Sequence, residues 1–160
     1  MHLVAGLAFS VLVGHWMTRY LMDGLWSTIM KPLTNSTATH LNPHRQLPEA
    51  VGIIERAFYT ITWHLGKAQF IGVWLVLKVA GGWNGWAQDV SYPGGKLLGR
   101  NIFNLFLIGT AVSLAYGVVG GTLTDALDKG HWFTASATPL ALVLGTFALR
   151  RFGSRSTPAA

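Results

Sequence analysis

The chain has 160 residues, of which 51% are hydrophobic and only 11% are charged. A soluble domain carries about 25% charged residues, and several apolar runs here approach the roughly 18 residues of a membrane span, so the composition excludes an ordinary soluble domain. Cysteine is absent, which excludes disulfides, a thiolate nucleophile and cysteine metal sites. The net charge of +6 comes from basic residues at the ends of apolar runs, where we expect contact with anionic lipid headgroups and not with nucleic acid.

These features predict an all-α fold, a polytopic helical membrane protein with about five membrane-embedded helices in one integral membrane domain at 1–160. Helices are expected because lipid offers no hydrogen-bond partner to backbone polar groups. The predicted segments are a helix at 3–22, a connector at 23–49, a hairpin at 50–80 broken at 66–67, a loop at 81–101, a helix at 102–123, a helix at 131–149 and a tail at 150–160.

The first helix combines a small-residue face with a polar ladder. Small residues recur at every fourth position, namely Gly6, Ser10, Gly14 and Thr18. Such a stripe lets a second helix approach closely. His15, Arg19 and Asp23 have the same spacing and form an i,i+4 ladder beside it. The ladder indicates either a buried polar path or an interfacial pair in which Arg19 reaches the headgroups.

The connector offers little for chemistry. An apolar pattern from Leu25 to Leu33 predicts a short helical turn on the membrane surface. His40 and His44 are four positions apart, but Pro43 between them argues against a helix. Two histidines without a third ligand do not make a metal site, so we expect no metal and no cofactor.

The central stretch Gly52–Gly82 decides the topology, because it can be one span or a hairpin hinged at Gly66 and Lys67. The positive-inside rule favours the hairpin, which places ten of the 12 cationic residues on the cytoplasmic side. These ten are Arg19, Lys31, Arg45, Arg56, Lys78, Lys96, Arg100, Arg150, Arg151 and Arg155. The N-terminus then lies outside and the C-terminus inside. Arms of about 14 residues, or about 21 Å, would make the hairpin re-entrant or thin the bilayer.

The last two spans also carry small-residue stripes, which we interpret as helix-packing faces. The third span has the clearer pattern, with Gly109, Ser113, Gly117 and Gly121 at every fourth position. The fourth span has a weaker one, with Ala137, Ala141 and Gly145.

Glu55 and Arg56 are the sharpest candidates for function, because ionisable residues inside membrane segments are costly and usually functional. Adjacent residues point about 100° apart on a helix, so these two need not pair with each other. The predicted partners of Glu55 are Arg19, Lys78 or Arg100. The candidate polar site comprises Glu55, Arg56, Lys78, Arg100, His64, Arg19 and His15. The alternative is that these residues anchor helix ends at the headgroups.

The motifs around the hairpin resemble those of small uncharacterised bacterial inner-membrane proteins. They are Gly52-Glu55-Arg56, Gly66, Ile71-Gly72, Lys78 and Phe103-Phe106-Leu107-Ile108-Gly109-Thr110-Ser113. The resemblance covers about 52–121. It implies a bacterial inner membrane and a role for Glu55 and Arg56, and it brings no activity with it.

Three functional hypotheses follow. The small-residue stripes favour a non-enzymatic subunit or small transport-related component, acting as a homo-oligomer or with a membrane-complex partner. Glu55, Arg56, Lys78 and Arg100 favour a lipid-headgroup enzyme or lipid-binding protein at the cytoplasmic face. A polar cavity reaching His15, Glu55 or His64 would favour a channel or proton-linked transporter.

Overall fold

The computed structural model describes residues 1–30, 46–87 and 95–155, with side chains described at 1–27, 49–81 and 103–151. Helix α1 runs through His2–Ala8, a π-helical turn at Phe9–Val13, and Gly14–Met30. The others are α2 at Gln46–His64, α3 at Ala68–Ala87, α4 at Gly95–Asp128 and α5 at Trp132–Arg155. No strand occurs in these ranges, so the prediction of an all-helical bundle is confirmed there.

Several helices extend beyond the predicted bounds. The predicted connector was wrong at its start, because α1 continues to Met30, and at its end, because α2 begins at Gln46. Helix α4 likewise reaches from Gly95 to Asp128 instead of 102–123. The predicted bounds followed the apolar runs. Polar residues can extend a helix beyond an apolar run, since they keep its backbone hydrogen bonds. An interior glycine such as Gly24 lowers helix stability by only about 1 kcal/mol relative to alanine.

Two glycine caps reverse the chain. Gly66 and Gly130 have φ values of 67° and 71°, in the left-handed region that favours glycine. After each of them, the backbone N–H of Lys67 or His131 donates to a carbonyl five residues back, which closes the helix end. The turn between α2 and α3 therefore lies at the residues where the sequence predicts the break.

Helix α4 is the centre of the bundle and contacts every other helix. Glycines make these contacts close: a Cβ added to Gly117 would overlap Tyr59, and one added to Gly6 would overlap the carbonyl oxygen of Gly120. Thr60 on α2 contacts both α1 and α4. Its Oγ1 lies 2.8 Å from Ser10 Oγ on α1 and 3.1 Å from the carbonyl oxygen of Gly117 on α4. Helix α3 lies at the periphery, against α2 and α4.

The bundle is polar inside and apolar outside. Its buried side chains include Ser10, Thr60 and Thr124, whereas Val76 and Phe133 are 68% and 84% exposed. Soluble monomers rarely expose apolar surface on this scale.

Two described segments, Phe103–Asp128 and Trp132–Arg151, are long and apolar enough to cross a membrane, judged by length and composition. Ala68–Gly81 is a shorter apolar segment. For α1, α2 and α3, embedding in the membrane stays a prediction.

Candidate functional site

A cavity of about 590 Å³ lies between α1, α2, α3 and α4, near the end where α1 finishes and α2 and α4 begin. Five of the seven candidate residues line it, namely His15, Arg19, Glu55, Arg56 and Lys78. The side chain of Arg100 lies outside the described set. The sequence could identify these residues only as separate candidates. The structure places them, from three helices, around one cavity.

Glu55 joins α2 to α3. Its carboxylate accepts a 2.6 Å hydrogen bond from Lys78 Nζ and a 3.0 Å bond from Trp74 Nε1. The Glu55 side chain is 2% exposed and that of Lys78 is 16% exposed. Lys78 Nζ also lies 4.9 Å from the centre of the Phe106 ring, a cation–π contact. Two of the three predicted partners of Glu55, Arg19 and Lys78, have described side chains, and of these two the structure places Lys78 beside it.

Arg56 extends from α2 into the gap between α1 and α4 and is 2% exposed. Gly14 and Gly52 leave room for it, since a Cβ at Gly14 would lie 2.8 Å from Arg56 Cδ and one at Gly52 would lie 3.4 Å from Nη1. The Nη1 atom donates to Ser113 Oγ at 3.1 Å. The stripe of α1 thus makes space for an arginine as well as for helix contact, and the stripe of α4 supplies an acceptor for it.

The positive charge of Arg56 is incompletely compensated. Its Nε has no hydrogen-bond partner. Among the described residues, no carboxylate lies within ion-pair distance of its guanidinium. The neighbouring Glu55 is bonded to Lys78 and acts on Arg56 only through space. A buried charge without a partner is costly, and such a group calls for an explanation such as a bound ion or ligand.

Two hydroxyls share this situation. The Oγ1 atoms of Thr18 and Thr110 are buried without a hydrogen-bond partner, and both residues line the cavity. Thr18 is one helical turn from Gly14, and Thr110 is one turn from Ser113, the two residues that touch Arg56. Arg56 was predicted as a site residue, whereas the hydroxyls of Thr18 and Thr110 were assigned to packing stripes.

The rim of the cavity is charged and more exposed. Arg19 lies 4.0 Å from Asp23 and 3.8 Å from Glu49, and its side chain is 44% exposed. The remaining lining is mostly apolar and comes from Met22, Trp26, Val51, Leu105 and Phe106. An apolar wall, a buried cation and a charged rim together suit an amphipathic ligand.

His64 is not part of this site. Its Nδ1 lies 2.6 Å from Asp125 Oδ1, near the opposite end of α2. A second pair of this kind joins His2 to Asp128 at 2.7 Å. Sequence reasoning missed both pairs, because the partners are 61 and 126 positions apart.

No group of three or more potential metal ligands occurs within the described ranges. The pair His40 and His44 lies outside them.

Comparison of the chain with protein-family models, with curated proteins and with solved structures finds no match. The geometry of the cavity therefore carries the functional interpretation.

Proposed function

We propose that this chain is an integral protein of a bacterial inner membrane, with five embedded helices, the N-terminus outside and the C-terminus inside. The apolar exposed surface and the polar interior support membrane insertion. Helices α2 and α3 have 19 and 20 residues, which corresponds to about 28 and 30 Å. These helix lengths approach the ~30 Å hydrocarbon core, whereas the apolar part of α3, Ala68–Gly81, is shorter. We therefore favour two short spans, which thin the bilayer locally, over a re-entrant hairpin.

The cavity then lies toward the cytoplasmic headgroups. Arg19, Arg56 and Lys78 line it, and the positive-inside rule assigns the end of the bundle that bears them to the cytoplasm. Three carboxylates, Asp23, Glu49 and Glu55, line the same cavity, so the attraction for an anionic lipid rests on the buried Arg56 and not on a net positive lining.

The proposed function is non-enzymatic binding of an amphiphile that carries a negatively charged group. The observation that supports it is Arg56, a cation buried in an apolar cavity with no carboxylate partner among the described residues. An anion from the ligand would compensate this charge through charge-assisted hydrogen bonds, which are the strong ones. The apolar lining would hold the hydrophobic part of the same molecule.

The packing stripes support an oligomeric subunit less well than this binding role. Gly6, Gly14, Gly117 and Gly121 would each meet atoms of this chain's own helices if they carried a Cβ. Contacts within one chain therefore account for them without a partner. His64 lies away from the cavity, which gives a polar path along the bundle less support than a site at one end.

The test is native mass spectrometry of the detergent-solubilised protein with phosphatidylglycerol and with uncharged diacylglycerol. We expect Arg56→Gln to weaken phosphatidylglycerol binding by about tenfold or more, since a hydrogen bond to a charged group contributes about 1.5–3 kcal/mol. Lys67→Gln is the matched control, because it removes an exposed cation from the turn between α2 and α3. Equal binding of phosphatidylglycerol by the wild type and Arg56→Gln would contradict the proposal.

A further inference from the structure

We propose that the group bound at Arg56 is a singly charged phosphodiester, held jointly by Arg56 and by the hydroxyls of Thr18 and Thr110. This inference rests on the proposed function and specifies the headgroup chemistry of the same site. It starts from three of the four buried side-chain polar atoms that lack a partner in the described part of the chain, Arg56 Nε, Thr18 Oγ1 and Thr110 Oγ1. The fourth belongs to Tyr59, which does not line the cavity. The other three residues all line one cavity, and each comes from a different helix.

The three residues line the same cavity, and Thr18 and Thr110 lie close in sequence to the residues that contact Arg56. Arg56 is fixed against Gly14 on α1 and Ser113 on α4. Thr18 and Thr110 each lie one turn from those contacts, on the side nearer the charged rim. Donors from α1 and α4 therefore flank the guanidinium on the side where the cavity opens.

The number and spread of donors favour a tetrahedral oxyanion. A carboxylate has two oxygens with about four lone-pair directions, all in one plane. A phosphodiester offers two charged oxygens and two ester oxygens in different directions. It can therefore accept bonds from Arg56 and from hydroxyls on two flanking helices together.

The buried charges favour a single negative charge. Glu55 and Lys78 pair at 2.6 Å, and at the exposed rim Arg19 faces Asp23 and Glu49. Arg56 is therefore the buried lining cation that has no carboxylate within ion-pair distance among the described residues. A phosphodiester carries −1 and neutralises it. A phosphomonoester carries about −1.5 to −2 at pH 7 and would leave excess negative charge in an apolar cavity that already contains Glu55.

The experiment compares three amphiphiles by their dissociation constants for the detergent-solubilised full chain. They are phosphatidylglycerol, a diester; phosphatidic acid, a monoester; and oleic acid, a carboxylate. The variants are Thr18→Val and Thr110→Val, alone and combined, which remove a hydroxyl and keep the shape. Thr122→Val is the control, because the Thr122 hydroxyl donates to the carbonyl of Val118 in its own helix and does not line the cavity.

We expect the wild type to prefer phosphatidylglycerol over the other two by about fivefold or more, and the double variant to lose about tenfold for phosphatidylglycerol, as befits two hydrogen bonds. Oleate binding should change by less than about twofold, because a carboxylate paired with Arg56 accepts in one plane and does not reach hydroxyls on both flanking helices. Thr122→Val should bind as the wild type does. Circular dichroism of each variant confirms that a loss of binding is not a loss of fold.

Two results overturn the inference while the proposed function stands: all three amphiphiles binding equally in an Arg56-dependent way, or the double variant binding phosphatidylglycerol normally. Failure of every amphiphile to depend on Arg56 overturns both. The last ligand tested is glycerophosphoglycerol, which has the same phosphodiester headgroup but no acyl chains. We expect it to bind far more weakly than the lipid, and equal affinity would support the phosphodiester assignment but contradict a membrane source.

Discussion

The ion pair between Glu55 and Lys78 provides a quantitative test of the interior. Lys78→Met leaves a carboxylate that is 2% exposed with only the Trp74 indole as a donor. Removing one partner of a buried pair costs about 3–5 kcal/mol, and we expect the lower end, about 3 kcal/mol, because the Trp74 bond remains. Glu55→Gln should cost less, about 1–2 kcal/mol, because Lys78 is 16% exposed and its flexible stem can reach more polar surroundings.

The double variant Glu55→Gln/Lys78→Met removes both charges and keeps an amide oxygen for Trp74. Its destabilisation should therefore be smaller than the sum of the two single effects, with a coupling energy of about 1.5 kcal/mol or more. The assay is reversible unfolding in mixed micelles, with wild type and the three variants in the same detergent.

The matched control is the pair His2 and Asp128, whose side chains are 47% and 48% exposed. The corresponding cycle with His2→Gln and Asp128→Asn should give less than about 0.5 kcal/mol, because exposed pairs contribute little. Additive effects of Glu55→Gln and Lys78→Met, within about 0.5 kcal/mol, would refute the description of a buried and mutually compensating pair.

Three further substitutions test the packing of the bundle, each by the same unfolding assay. Gly117→Ala should cost about 2 kcal/mol or more, because the new methyl group would overlap Tyr59, whereas Gly145→Ala, which meets nothing within 4 Å, should be neutral or stabilise by up to about 1 kcal/mol. Thr60→Val should cost about 1–2 kcal/mol, because it leaves Ser10 without its neighbouring hydroxyl in a buried position. Equal stability of the two glycine variants, or a Thr60→Val protein as stable as the wild type, would contradict the contacts described.

The sequence could nominate Glu55 and Arg56 because an ionisable residue in an apolar run stands out against its neighbours. It could not choose between Arg19, Lys78 and Arg100 as the partner of Glu55. That choice depends on how α3 is rotated and docked against α2, and no local pattern determines this rotation. Trp74 was missed for the same reason, since its indole contacts Glu55 only after the chain has reversed.

His64 shows the opposite error. It shares a helix face with Arg56, which favoured placing both in one site. The two are eight positions apart, however, and at 1.5 Å per residue this places them about 12 Å apart along the axis. His64 therefore meets Asp125 at the far end of α2. Two residues on the same helix face point in the same direction around the helix axis, but they can still lie far apart along that axis.

The unpartnered hydroxyls could not be predicted from the sequence. Thr18 and Thr110 lie on small-residue faces, where a threonine usually bonds to its own helix, as Thr122 does. Their lack of a partner becomes visible only when the cavity is formed by four helices.

Cysteine labelling tests the membrane layout most directly, because the natural chain contains no cysteine and single-cysteine variants have no background. Lys67→Cys and Lys129→Cys lie at one end of the bundle, and Ser27→Cys lies near the end that bears the cavity. In intact cells, a membrane-impermeant maleimide should modify positions 67 and 129 and leave position 27 unmodified until the membrane is opened. If positions 67 and 27 react from the same side, then α2 and α3 do not cross the bilayer as a pair. Arg56 then cannot lie at the depth of the inner headgroups.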